Sequence, residues 1–328
     1  MHDLLLLHLP FAGIEIFWPA VALLCFCAGL VAGFFGISGS WIIAPGLYIL
    51  GFPLPFAIGT NMTQLTGRSL FSLYKYFRFS DVDFKLGATM LLGGIPGIEI
   101  GVRAVLLLER SGLAEEIIGW SYAGLLAAII WLAYFDAHRV ASDDPAADRS
   151  GFYKSSKPGW RLCFRLFPVL SFRQSRVICS FWVVLAAGML IGFISGLLGV
   201  GGSLARMCIL VYLLGCSTRN AFALDLLLAF LTGLYATGAY AFRGRVDLLA
   251  ALLIIPIISL GISMGAAITN IARQEAKKAA FLFFALGVLV SVISMQLGYT
   301  LWAGIFLGLS CFICMVYLCF FKGGRMAG

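Results

Sequence analysis

Charge is scarce in this sequence. Of 328 residues, 23 are Lys or Arg and 15 are Asp or Glu, 12% in all, where a soluble domain carries roughly a quarter. So few charges cannot cover a water-facing surface, so most of the surface must meet lipid. Histidine is scarcer: His2, His8 and His138 lie at the edges of apolar runs, which argues against a histidine metal site. No His-Glu-x-x-His pattern and no phosphate-binding loop pattern occurs. Gly261-Ile-Ser263-Met-Gly265 fits Gly-x-Ser-x-Gly. It lies inside an apolar run, without the strand-to-helix turn and histidine that such a nucleophile needs, and reads as helix packing. The nine cysteines are mostly scattered through apolar stretches, where cysteine behaves as a small hydrophobe. Cys311 and Cys314 read as two packing residues one turn apart. An enzyme, a cofactor and a metal are not expected. The net charge of +8 reads as cytoplasmic loops rather than nucleic-acid binding. Met1 to Pro10 has no positive n-region, so it reads as a retained leader into the first helix, not a signal peptide.

Hydrophobic residues make up 61% of the chain, and mean hydropathy is +1.00. A spanning helix needs about 20 apolar residues. Runs of that kind lie near 17–36, 55–77, 86–108, 115–135, 179–199, 219–242, 247–270, 277–297 and 300–321. Two apolar segments are shorter, Trp41 to Gly51 and Leu204 to Gly215, and each follows a glycine-rich break. Residues 137–178 form the one long polar stretch.

The halves on either side of that stretch repeat. Gly33-Phe-Phe-Gly36-Ile-Ser-Gly39-Ser40 resembles Gly196-Leu-Leu-Gly199-Val-Gly-Gly202-Ser203, an offset of 163 (196 minus 33). Ala57 pairs with Ala221, Tyr76 with Tyr240, Val82-Asp83 with Val246-Asp247, and Gly97-xxx-Gly101 with Gly261-xxx-Gly265, an offset of 164 (221 minus 57). The eight Lys and Arg of 137–178 place that loop in the cytoplasm. Arg273, Lys277, Lys278, Lys322 and Arg325 then fall inside as well, and Arg243 and Arg245 fall outside, against the trend. Each repeat makes an odd number of crossings, which inverts the two repeats. Inverted repeats around a midplane site are a common transporter plan. The expected fold is an all-α polytopic membrane protein. It has two inverted repeats, each a glycine-broken helical hairpin plus three transmembrane helices, and an additional C-terminal helix. The divisions are 1–136, the loop 137–178, 179–297, and 298–328.

Three constellations could carry chemistry. At Gly36–Ser40 and Gly199–Ser203 a helix stops and a short one begins. Such backbone is tolerated at membrane depth only where it is buried in protein or lines a cavity. Ser40 and Ser203 read as N-caps, and the bare N–H groups beyond them attract an anion. The competing reading gives these glycines a packing role. Gly29-xxx-Gly33 and Gly188-xxx-Gly192-xxx-Gly196 look like packing faces. Next, Gly59-Thr60-Asn61-Met62-Thr63-Gln64 places hydrogen-bonding groups on an apolar helix. Thr63 and Thr66 could equally bond to their own helix. Last, Arg68, Glu99, Arg103, Arg206 and Asp225 lie inside apolar segments, where an unpaired charge costs about 2.5 kcal/mol or more. Arg68 and Arg206 are candidates for gripping an anion, since a guanidinium forks onto oxyanions. The alternative is structural pairing, Arg206 with Asp225 and Glu99 with Arg103 or Arg68. Glu99 and Arg103 read as a structural pair. Glu99 or Asp225 could also carry a coupled proton.

Gly33-x-x-Gly36-x-x-Gly39-Ser40 followed by Pro45, then Ala57-x-Gly59-Thr60, with the glycine cluster repeated at 196–203, resembles the TauE/SafE sulfite exporter family of bacterial membrane permeases. The resemblance covers both halves and omits the 137–178 loop. It implies transport of sulfite, sulfoacetate or related organosulfur anions across the bacterial inner membrane, with a central site at Gly36, Gly39, Ser40, Gly59, Thr60, Asn61, Gly199, Gly201, Gly202 and Ser203. The sequence departs from the pattern where Cys208 stands opposite Pro45, Asp225 opposite Asn61 and Arg206 opposite Ile43. The expectation is a secondary transporter, an exporter, of a small sulfur-containing anion in the lipid bilayer, with the central loop and C-terminus cytoplasmic. A homodimer is compatible with it. A membrane-embedded structural or sensor subunit, or an anion channel, stays open as an alternative.

Overall fold

A computed structural model gives the architecture, and it describes residues 6–9, 13–35, 38–76, 82–140, 167–172, 177–269 and 274–323. Each of the nine predicted spans is a helix. In chain order these are α1 (Trp18–Phe35), the short α2 (Ser40–Ile49), α3 (Leu54–Tyr76), α4 (Phe84–Ser111) and α5 (Ala114–Val140). Then follow α6 (Phe181–Leu198), the short α7 (Ser203–Cys208) running into a π-helical turn over Ile209–Leu213, α8 (Thr218–Ala241), α9 (Leu248–Thr269), α10 (Gln274–Gln296) and α11 (Thr300–Gly323). Among the described residues, five helical stretches are long and apolar enough to cross a membrane: 18–35, 84–111, 181–198, 220–241 and 248–267.

Two β-hairpins were not anticipated. β1 (Leu6–Leu9), in the stretch Met1 to Pro10 read as a leader, pairs antiparallel with β2 (Ile14–Phe17), which follows that stretch. β3 (Val169–Phe172) pairs antiparallel with β4 (Val177–Ser180), at the end of the stretch read as a loop. Each hairpin runs straight into a helix, α1 or α6. The strands and those helices recur with the sequence offset of 163: 169 minus 6, 177 minus 14 and 181 minus 18. The repeated architecture therefore starts earlier than the glycine motifs suggested, at Leu6 and Val169.

Local chemistry repeats as well. Asp83 Oδ1 accepts from the Leu86 N–H at 3.2 Å and caps α4. Asp247 Oδ1 accepts from the Ala250 N–H at 3.0 Å and caps α9 in the same way. A carboxylate in that position pairs an N–H the helix itself cannot satisfy.

The chain divides into two compact units that cut across the sequence halves. The first comprises residues 1–57, 108–147 and 247–328. In it α1 of the early half packs on α9 of the late half. A Cβ on Gly29, Gly33, Gly261 or Gly265 would strike the backbone carbonyl of Ile258, Ile262, Phe26 or Leu30 respectively. The second comprises residues 58–107 and 148–246. There α4 packs on α6. A Cβ on Gly192, Gly196, Gly97 or Gly101 would strike the carbonyl of Gly94, Ile98, Met189 or Phe193. Position by position, these are the same four contacts shifted by the repeat offset. In both pairs the glycines bring two parallel helices into backbone contact, the small-residue packing that replaces a hydrophobic drive in lipid.

Candidate functional site

In the second unit the break between α6 and α7 is built from three glycines with left-handed backbone: Gly199 (φ 70°), Gly201 (φ 72°) and Gly202 (φ 67°). A side chain is strained in that region, so the turn requires glycine. The turn leaves carbonyls at the end of α6 and in the break without helical donors, and three side chains from different helices bond to one in α6 and two in the break. Tyr240 of α8 donates its hydroxyl to the Gly196 carbonyl at 2.7 Å. Asn61 of α3 donates Nδ2 to the Gly199 carbonyl at 2.7 Å. Arg206 of α7 donates Nη2 to the Gly201 carbonyl at 2.5 Å. Gln64 Nε2 in turn donates to Asn61 Oδ1 at 2.7 Å. Asn61, Gln64 and Thr60 are fully buried.

Beneath the break lies a charged centre. Arg206 is 2% exposed and Asp225 of α8 is 6% exposed. Arg206 Nε lies 3.0 Å from Asp225 Oδ1. Neither atom makes a hydrogen bond among the described residues, so the contact is ionic and not aligned as donor to acceptor. The Ser203 hydroxyl is also in reach of Asp225, and Arg68 of α3 is close enough to share the carboxylate's field. The sequence thus brings together Asn61, Arg68, Ser203, Arg206 and Asp225. Arg206 and Asp225 form the buried ion pair of this group, and Arg68 is half-buried. Beside Arg206 is a small cavity of about 10 Å³, walled by Gly94, Gly188 and Gly192, with Ser195 and Thr232 also lining it. It has room for about one water, so an oxyanion enters only if these helices part.

In the first unit the other break is partly described: Gly36 lies outside the described residues. The N-cap of α2 is Gly39 and Ser40 is its first helical residue, so Ser40 is not the cap. Ser38 supplies the hydroxyl instead. Its Oγ accepts from the Ser40 N–H at 3.3 Å and donates to Ser40 Oγ at 2.9 Å. The same correction holds for α7, whose N-cap is Gly202 and not Ser203. In both breaks the glycine before the serine makes the turn, which moves the hydroxyl inside the helix. Trp41, next in line, packs edge-on against Phe281 and Phe284 of α10. The Tyr122 hydroxyl of α5 donates to its carbonyl at 2.9 Å. Trp41 Nε1 is buried without a hydrogen-bond partner among the described residues.

The remaining candidates sort by geometry. Gly59 is a close approach: a Cβ there would strike the Arg245 carbonyl. Thr63 and Thr66 donate to the carbonyls of Gly59 and Met62 one turn back, the helix-internal alternative, and Thr66 also meets Thr237 at 3.0 Å. Glu99 pairs with Arg103 at 2.8 Å, as read from the sequence, and also with Arg243, which the sequence did not suggest. Gln64 is among the hydrogen-bonding groups read from the sequence of α3, whereas Tyr240 was not singled out as a site residue. The only signal for Tyr240 was its repeat partner Tyr76.

A family profile described as "Sulfite exporter TauE/SafE" matches residues 21–315. Among curated proteins, "Probable membrane transporter protein YunE" of Bacillus subtilis is 23% identical over 264 residues, covering 74% of this chain and 85% of that protein. YjnA of the same organism, described in the same words, is 22% identical over 238 residues, 71% and 82% of the two chains. "Probable membrane transporter protein MJ0441" of Methanocaldococcus jannaschii is 23% identical over 198 residues, 58% and 61%. No solved structure matches.

Proposed function

We propose, since this chain belongs to the TauE/SafE sulfite exporter family, that it is a secondary transporter carrying sulfite or a related organosulfur anion outward across the inner membrane. Membership makes it a membrane transporter; the substrate and the direction are our reading. The observation that carries the reading is the buried Arg206 guanidinium, 3.0 Å from the Asp225 carboxylate beside the 199–203 break. Charged groups inside a membrane protein are costly and are usually paired or functional. An arriving anion can take the place of Asp225 as the partner of this guanidinium. A sulfite or sulfonate group presents the oxygens a guanidinium fork binds best.

In this reading Asp225 holds Arg206 when no substrate is present, and the incoming anion displaces it. Asn61 and Arg206 lock the Gly199 and Gly201 carbonyls of the break, and Tyr240 locks the Gly196 carbonyl at the end of α6, so the break moves as one rigid piece. Gly39, Ser40 and the Trp41 N–H are the corresponding groups at the break in the first unit, and Gly59 and Thr60 belong to α3 in the second. The repeats cross the membrane in opposite directions, with the 137–178 loop and the C-terminus in the cytoplasm. That placement rests on the Lys and Arg of the loop.

Vesicles reconstituted with the purified protein test the function. Preloaded with unlabelled sulfite, they are expected to take up labelled sulfite transiently against its gradient, with saturation and with competition by sulfoacetate. Flux that never saturates would make it a channel, and no sulfite flux at all would overturn the substrate assignment.

A further inference from the structure

One charged cluster in the second unit plays no part in the proposed transport. Glu99 of α4 accepts at Oε1 from Arg103 Nε at 2.8 Å and from Arg243 Nη2 at 2.5 Å, and at Oε2 from the Tyr235 hydroxyl at 3.3 Å. Both carboxylate oxygens are taken, and two guanidiniums share them, so the cluster carries one positive charge in excess. The Arg103 side chain is 69% exposed. Only its Nε is committed among the described contacts, which leaves its terminal nitrogen fork open.

Next to the cluster runs an open groove of about 590 Å³, lined by Leu234, Gly238, Ala239 and Phe242. Phe242 is 96% exposed, and Ile100 and Leu234 are exposed beside it. Large apolar side chains in the open mark a face that meets lipid. The depth fits a lipid phosphate. From Phe84 to Arg103 α4 rises about 29 Å, close to the thickness of a hydrocarbon core. Arg243 lies just beyond the end of α8. Cluster and groove together have a charged head at the membrane surface and an apolar slot leading from it.

We propose that this is a binding site for an anionic phospholipid, with its phosphate on the Arg103 fork and Arg243 and one acyl chain along Leu234, Gly238 and Phe242. The charge selects the lipid. A headgroup with a net negative charge balances the surplus guanidinium, whereas a zwitterionic headgroup brings its own cation. Glu99 then acts as the positioning residue that holds the two arginines side by side.

The test uses the full-length protein purified in detergent. Lipid retention by native mass spectrometry and thermal midpoint are followed with dioleoylphosphatidylglycerol, dioleoylphosphatidylcholine or inorganic phosphate added. The wild type should bind phosphatidylglycerol in preference and be stabilised by it, with no effect of inorganic phosphate. Arg103→Gln should weaken phosphatidylglycerol binding about tenfold, the loss of one charge-assisted contact. Gly238→Leu fills the slot where a Cβ meets nothing closer than Phe242 at 4.0 Å. It should therefore keep the fold and lose the lipid. Equal retention of the two lipids by the wild type, undiminished phosphatidylglycerol binding in both variants, or stabilisation by inorganic phosphate alone would each overturn the site. So would a lipid-independent dimer that both variants disrupt.

Discussion

Arg206→Ala is expected to abolish anion flux and to destabilise the protein by about 3–5 kcal/mol, the cost of stranding a buried charge. The side chain holds two things at once, the Gly201 carbonyl and the Asp225 carboxylate. Its loss leaves Asp225 buried without its ion-pair partner. The double variant Arg206→Ala, Asp225→Ala removes the stranded charge and should regain most of the lost stability. It should not regain transport, because the group that grips the anion is gone. Unfolding in mixed micelles reads the first quantity and vesicle uptake reads the second. A double variant that transports at the wild-type rate would reduce the pair to a structural strut.

The second large effect concerns the packing glycines. Gly33→Ala and Gly192→Ala each place a methyl group on a backbone carbonyl, of Ile262 and Gly94 respectively. Backbone cannot swing aside as a side chain can, so the paired helices must separate along their length. Overpacking of this kind costs about 1–3 kcal/mol or more, and Gly33→Leu or Gly192→Leu is expected to yield no folded protein. The contrast is internal. Gly124 and Gly308 lie on helices with nothing within 4 Å of a Cβ. Their change to alanine should be neutral, or stabilising by up to about 1 kcal/mol. Folded yield by size-exclusion fluorescence separates the two sets. Equal yields would mean that the backbone contacts of α1 with α9 and of α4 with α6 are not what holds each unit together.

The same glycines show how much was legible beforehand. Gly29 and Gly33, Gly97 and Gly101, and Gly261 and Gly265 stand four apart, so each pair falls on one helix face, and a small-residue face in lipid calls for a close partner. The sequence could not name the partner. That α1 meets α9, and α4 meets α6, is a pairing between distant parts of the chain that no local pattern encodes. Helix positions were legible because apolar runs of about 20 residues have few other uses. The hairpins at Leu6–Phe17 and Val169–Ser180 were hidden because their apolar strands sit against longer apolar runs, and Gly13 was the one turn signal in the first.

At the site, the charges were legible and the wiring was not. Arg206 and Asp225 stood out because ionisable groups are rare in such segments, and pairing between them was one of two readings. The structure contains that pair, and the grip on an anion is the proposal built on it. The serines misled. Ser40 and Ser203 have the right residue type for caps, but Gly39 and Gly202 make the turns. The carbonyl locks from Asn61 and Tyr240 depend on α3 and α8 passing the end of α6, which only the folded unit reveals.

The central claim is that a substrate anion competes with Asp225 for the buried Arg206 guanidinium. The direct measurement is the dissociation constant for sulfite of the wild type and of Asp225→Asn, by calorimetry on purified protein. Removing the competing carboxylate should tighten binding by about tenfold or more, and the variant should be less stable without sulfite and gain more stability from it than the wild type does. Unchanged or weaker sulfite binding in Asp225→Asn would contradict the account.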